Sequence, residues 1–344
     1  PSFSYVEQTA TLPILRLSVG AATWADGSAP TVGAVTRSNS VYGTAAGDGV
    51  SGGGVTALAN GHYVVGSPGW SGLVAGGGAA TWGNGATGST GAVATGNSLY
   101  GTTASVGVGG LLDVAALSNG NYVATTSGWP NGAASNAGAA TFVNGGGPNS
   151  AAVSAANSLV GTQAGDGVGL GALPLTNGNF VVAAPLWDKP GSPNAGAVTW
   201  VDGSPGRVGV ITAATSLTGA AAEDSIGASI GALSNGNYVI ASQVFGTDDG
   251  GAVTWADGST GTVGTVGPSN SIIGGAGDLI GAGIVALSDG NYAFTSPSWD
   301  GGLGAVTWAG GAASTVGTVT ATNSIVGGAP GANVGGVLFA GDPG

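Results

Sequence analysis

Four aspartates sit at matching points along the chain, each preceded by Gly or Glu: Asp48, Asp166, Asp224 and Asp278. Carboxylates repeated like this could ring a common opening and hold a cation. They could equally accept backbone amides and fix a turn. Recurrence favours the structural use. Acid–base chemistry such as glycoside hydrolysis needs two carboxyls in unlike environments, and near-identical repeats offer like ones. Asn333 takes the place in one further repeat, and Ser105 or Val106 in another. The rest of the acid–base inventory is short: one histidine (His62), two glutamates (Glu7, Glu223) and no cysteine. A general base needs a held partner and a tuned pKa. His62 falls at a hairpin tip where sibling copies carry Asn, and reads there as a solvated residue. No catalytic residue, metal ligand or cofactor is therefore expected, and the chain does not read as an enzyme.

A second group could do contact chemistry. Trp70, Trp129, Trp187, Phe245 and Trp299 each stand seven residues after a Tyr or Phe, at the exit of a strand. Aromatic rings at loop tips can stack on sugars, as in a lectin, or anchor a protein interface. Alternatively, each ring lies across a Gly-rich junction and completes the core. Intervening loops differ in length and chemistry, for example WDKPGSPNAG against WDGGLG, and such variation on a rigid scaffold is where binding usually resides.

These residues are positioned by a repeat. The phrase GAxTW ends at Trp24, Trp82, Phe142, Trp200, Trp255 and Trp308, and we number the repeats first to sixth by these aromatics. A second phrase, [N/T]-S-x-x-G, begins at Asn39, Asn97, Asn157, Thr215, Asn270 and Asn323. A third, of the type ALSNGNYV, places an aromatic at Tyr63, Tyr122, Phe180, Tyr238 and Tyr292. The third phrase occurs five times and its sixth copy reads as split between the termini. Tyr5 precedes Trp24 by 19 residues, as Tyr63 precedes Trp82, and NVGGVLFAGD at 333–342 matches the first half. Each repeat reads as four short strands, with Asn-Gly or Asp-Gly predicting a type I′ hairpin. In the sixth repeat these are GIVALS, NYAFTS, GAVTWA and TVTATNSIVG. The GAxTW aromatics are expected to pack between sheets. Periodic four-stranded units with matched ends predict one all-β domain over 1–344, a six-bladed β-propeller whose last blade is completed by residues 1–19. An open β-solenoid is the alternative.

The stretch AGDGVGLGALPLTNGNFVVAAPLWD through NAGAVTW (164–200) resembles the FG-GAP repeat of integrin α-subunit propellers and bacterial surface proteins. GDGVG (165–169), VVAAP (181–185) and GAVTW (196–200) carry the likeness, repeated at GDLIG (277–281) and at GDGVS (47–51) with VVGSP (64–68). The resemblance implies a propeller, in that family of seven blades rather than six. It also implies a calcium loop of the form D-x-D-x-D-G. Here that loop is shortened to S-N-G-N, T-N-G-N or S-D-G-N, and the one Asp289 cannot supply a six- to eight-oxygen cage, so no metal is carried over.

Composition narrows the partners. The formal charge is −12 with four basic residues, too few and too scattered to bind nucleic acid or an anionic membrane. Cys and Met are both absent, which removes the most oxidisable side chains and suits an oxidising exterior. No N-x-[S/T] sequon occurs, so a bacterial source is expected. No apolar run is long enough to cross a membrane as a helix. The chain reads as a processed mature form. The segment TATLPILRLS (9–18) is expected to be an apolar loop, either an interface or a cover for the closure seam. Expected interface residues are Tyr5, Leu12, Ile14, Leu15, Val337 and Phe339. The functional expectation is a non-catalytic extracellular structural or adhesion module. It would self-associate or bind another surface protein, strand 333–340 of one copy pairing with 3–8 of the next. A glycan-binding lectin is the alternative.

Overall fold

The structure is a computed structural model that describes residues 5–8, 13–16, 18–28, 32–104 and 113–336. Within 5–8 and 13–16 only the backbone pairing is described. The chain divides into two compact units, 1–164 with 203–210, and 165–202 with 211–344. Among the described residues the fold is all-β apart from one helical turn, Trp299–Gly302.

Each repeat forms a small sheet. In the first unit Val114–Ala116, Tyr122–Thr126, Ala139–Val143 and Leu159–Val160 run antiparallel in that order. In the second unit Ser229–Ala232, Tyr238–Ser242, Ala252–Ala256 and Ser271–Ile273 repeat the pattern. The second strands Tyr122–Thr126, Phe180–Ala184 and Tyr238–Ser242 are buried along their whole length. Burial on both faces explains their run of Val, Ile and Ala in place of polar alternation.

Most sheets hold a fifth strand that the four-strand expectation lacked. What reads in sequence as one fourth strand, TVTATNSIVG, divides into Gly317–Thr318 and Ser324–Val326. A turn separates them: Asn323 Nδ2 donates to Thr318 O, and Asn323 Oδ1 accepts the Thr320 amide. The first piece pairs in parallel with the fourth strand of the preceding repeat, Ile272↔Gly317 and Ile273↔Thr318. Four other junctions do the same, including Leu99↔Ala151 and Leu217↔Gly264. A strand of one repeat thus completes the sheet of the repeat before it.

The hairpins also differ from expectation. A type I′ turn needs positive φ at both central residues. Here the Gly alone has it, for example Gly120 at φ 87°. The Gly120 amide donates to Leu117 O and the Leu117 amide to Asn121 O, a type I turn followed by a left-handed Gly. Asn119 is held in the ordinary region because its Oδ1 accepts the Asn121 amide.

Segment 9–18 is not all loop. Pro13–Arg16 forms a strand paired with Tyr5–Gln8, Val6↔Leu15 and Glu7↔Ile14, so Tyr5, Ile14 and Leu15 belong to a terminal hairpin. Leu12, Val337 and Phe339 lie outside the described residues, as do 3–4 and 337–340 of the two strands expected to pair; the described part of the first, Tyr5–Gln8, pairs with Pro13–Arg16.

Cores form between neighbouring sheets. Leu58, Val64 and Leu99 of one sheet pack with Tyr122, Ala124 and Val143 of the next. Leu175, Val181 and Leu217 pack with Tyr238, Ile240 and Val266 in the same way.

Candidate functional site

The recurring carboxylates act on backbone. Asp224 Oδ2 accepts the amides of Ala220 and Ala221 at 2.7 and 2.8 Å, and its Oδ1 accepts Gly246 N at 3.0 Å. Asp48 does the same with Thr44, Ala45 and Ser71. Asp278 accepts Gly275 and Asp300 amides, and Asp166 Oδ1 accepts Asp188 N. Asp48, Asp224 and Asp278 each tie the turn after one fourth strand to the loop after the next repeat's second strand. Asp48, Asp166 and Asp224 are buried. A carboxylate that satisfies amide donors in this way is a fastener between sheets.

The loop aromatics are not exposed together. Trp70, Trp129 and Trp187 are buried, while Phe245 and Trp299 are half-buried. Trp70 packs with Val41, Val50, Val65 and Val93, and its indole donates to Val93 O at 3.2 Å. Trp129 belongs to the core shared by the second and third repeats. Phe245 and Trp299 pack against the cores of their own unit. Of the two readings, Trp70, Trp129 and Trp187 take the one in which the ring completes the core. The loop after each second strand folds back, and burying a Trp face there gains more than leaving it in water.

His62 is likewise not simply solvated. Its Nδ1 accepts the Gly85 amide at 3.2 Å, and its ring centroid lies 4.6 Å from that of Trp82. In sibling repeats the Oδ1 of Asn121, Asn237 and Asn291 accepts the equivalent amides of Gly145, Gly258 and Gly311. A ring nitrogen replaces an amide oxygen, and the role is unchanged. Glu223 Oε1 accepts Asn194 Nδ2, and Glu7 lies in the terminal strand Tyr5–Gln8.

The densest polar cluster is one the sequence reading did not single out. Gly258 O accepts Trp200 Nε1 at 2.9 Å, Asn177 Nδ2 at 2.8 Å and Asn179 Nδ2 at 3.0 Å. The donors come from the fourth repeat and the acceptor from the fifth. Gly311 O receives Trp255, Asn235 and Asn237 identically. In the first unit Gly145 O receives Trp82 and Asn60, and Gly203 O receives Asn119 and Asn121. Asp257, beside Gly258, accepts the Ser259 hydroxyl and amide, which hold its carboxyl below the usual range. The available signal was a Gly three residues after each GAxTW aromatic, together with the paired Asn of S-N-G-N.

A hydroxyl pair joins the two other phrases. The Thr of GAxTW meets the Ser of [N/T]-S across antiparallel strands in all six repeats, from Thr23–Ser40 at 2.7 Å to Thr307–Ser324 at 2.8 Å.

An apolar groove in the second unit, of about 280 Å³, is lined by Leu170, Leu173, Ala183, Pro185 and Ile230 among others, and holds no titratable side chain. Among the described residues no three His, Cys, Asp or Glu side chains stand close enough to hold a metal ion together, and no helix is long and apolar enough to cross a membrane.

Six matches to one repeat family cover residues 15–52, 57–110, 116–170, 174–228, 232–282 and 286–336. The chain belongs to the DUF5650 family, a repeat of unknown function. The first DUF5650 match is short because it begins near the third strand of its repeat. The others begin at the last residue of a first strand and take in the second, third and fourth strands of the repeat. No curated protein matches the chain.

Proposed function

We propose that this DUF5650 array is a non-catalytic extracellular structural or adhesion module, its sheets set as blades in an FG-GAP-like propeller. The carrying observation is the use made of reactive side chains. The aspartates Asp48, Asp224 and Asp278, and His62, are engaged by backbone amides that join one strand or repeat to the next. A blade arrangement is supported by first strands of successive repeats lying side by side, as Gly171–Pro174 does with Ser229–Ala232, and that strand with Gly283–Ala286. Low charge and the absence of Cys and Met favour a bacterial cell surface or secreted location. The partner on this reading is another surface protein, or a second copy.

The test is binding of the purified chain to intact bacterial and host surfaces, before and after protease treatment of those surfaces. Protease-sensitive binding that survives His62→Asn supports the reading. Loss of any surface binding, with turnover of a glycan or peptide substrate, would overturn it. The lectin alternative now rests on Trp299 and Phe245. It requires glycan-array binding that disappears in Trp299→Ala while the fold is kept.

A further inference from the structure

The interior junction between repeats is built from three parts. A fourth strand offers its outer edge. A Gly-x-Val segment of the next repeat pairs with it in parallel. The GAxTW indole of the earlier repeat donates to the Gly three residues after the GAxTW aromatic of the later one. Among the described residues, five junctions have the parallel pair and four have the indole bond.

The two ends of the array each carry one half of this junction. At the last repeat, Ser324–Val326 is the edge of a four-stranded sheet, with no fifth strand among the described residues. Ile325 is 72% exposed, where its counterparts Leu99, Leu159, Leu217 and Ile272 are at most 2% exposed. Trp308 is 58% exposed, whereas Trp24, Trp82, Trp200 and Trp255 each reach into a following repeat. At the first repeat, Gly33–Val35 stands where paired Gly91–Val93 and Gly264–Val266 stand in later repeats. Gly33 has φ 131°, matching 119° at Gly91 and Gly209, 132° at Gly264 and 128° at Gly317. The segment already has the pairing conformation, yet Val35 is exposed where Val93 and Val266 are buried.

We propose that these halves are one heterologous interface, through which a second copy of this chain docks head-to-tail. The proposal names the partner left open by the structural reading; it rests on the non-catalytic, self-associating part of that reading and has the ring of blades close between copies rather than within one chain. Ile325 of one copy pairs with Gly33 of the next, Val326 pairs with Ala34, and the Trp308 indole donates to Gly27 O. Ile325, Trp308 and Val35 are exposed, and a second copy carries the half that complements each end. A heterologous contact of this type propagates into a filament or closes as a ring of several copies. The pairing is β-augmentation, in which main-chain bonds supply affinity and the Ile325, Val35 and Trp308 side chains supply register. One substitution weakens it. Asp289 stands where Asn177 and Asn235 donate across junctions, and a carboxylate cannot donate. It turns back to accept Asn291 Nδ2 and Asn291 N.

The chain has no native cysteine, which makes the register directly testable. Ala34→Cys and Val326→Cys chains are mixed under mild oxidation, and the double variant is oxidised alone. The expected result is an interchain disulfide from the mixed single variants and a ladder of multiples from the double variant. In light scattering, Ile325→Asp and Trp308→Ala shift the protein at least tenfold towards monomer with unchanged circular dichroism, and Asp289→Asn shifts it towards larger species. Exclusive crosslinking within single chains of the double variant overturns the proposal, because the array then closes on itself. So does a protein that stays monomeric without crosslinks, or one whose assembly ignores Ile325→Asp. A monomer that still binds surfaces leaves the structural reading intact.

Discussion

The indole nitrogen of Trp200 donates to the carbonyl oxygen of Gly258 at 2.9 Å, across 58 residues of chain. It joins one repeat to the next, and the same contact recurs from Trp255 to Gly311. Phe142, in the third repeat, has no N–H and instead packs against Gly206. Trp200→Phe is therefore expected to fold and to lose about 1 kcal/mol, the net worth of one such bond. Trp200→Ala should cost about 3 kcal/mol through the added loss of packing. Urea denaturation at constant m-value distinguishes the two.

Gly258 is also held by space. A Cβ there would run into the carbonyl oxygen of Gly236, which is backbone and cannot rotate away. Gly258→Ala should disrupt the fourth–fifth junction, costing more than about 2 kcal/mol. Gly267→Ala, where a Cβ meets nothing within 4 Å, is the matched control and should stay within about 1 kcal/mol of the parent.

Asp224 fastens three backbone amides from a buried position. Asp224→Ala leaves those donors without a partner, at an expected cost of about 3 kcal/mol. Hydrogen exchange should rise at the Ala220, Ala221 and Gly246 amides before it rises elsewhere. Uniform acceleration across the chain would show that the carboxylate is not a local fastener.

Tyr122 and Tyr292 bury hydroxyls that have no hydrogen-bond partner. At Tyr238 the Thr262 amide opposes the effect of burial weakly, from outside good hydrogen-bond geometry. Phe180 fills the equivalent place without a hydroxyl. Tyr122→Phe should be neutral or stabilise by up to about 1 kcal/mol, since an unmet polar group is removed. An increase in melting temperature checks this.

Burial pushes the Tyr292 hydroxyl from 10.0 up to about 12. Its folded-state pKa lies above the unfolded one, so its contribution is fully present below pH 10 and is lost as pH rises towards 12. Stability should fall across that window, with a shallower slope in Tyr292→Phe. Phenolate absorbance in the folded protein should lag behind that of the denatured chain.

Much of the architecture is a property of the sequence alone. Repeat count, strand positions and the aspartate turns are local matters, set by Gly, Asn and Asp at fixed offsets and by apolar runs of strand length. The Thr199–Ser216 type of pair could be inferred from a constant spacing between two phrases. Only tertiary structure decided the rest. Whether Trp187 faces water or core depends on how its loop folds back, and whether His62 is free depends on Gly85, 23 residues away. The parallel fifth strand was hidden because Gly317–Thr318 and Ser324–Val326 are adjacent in sequence yet serve different sheets. Periodicity reports which face of a strand is apolar. It carries no information about which neighbour covers that face, because that choice is made by contacts between residues more than 50 positions apart.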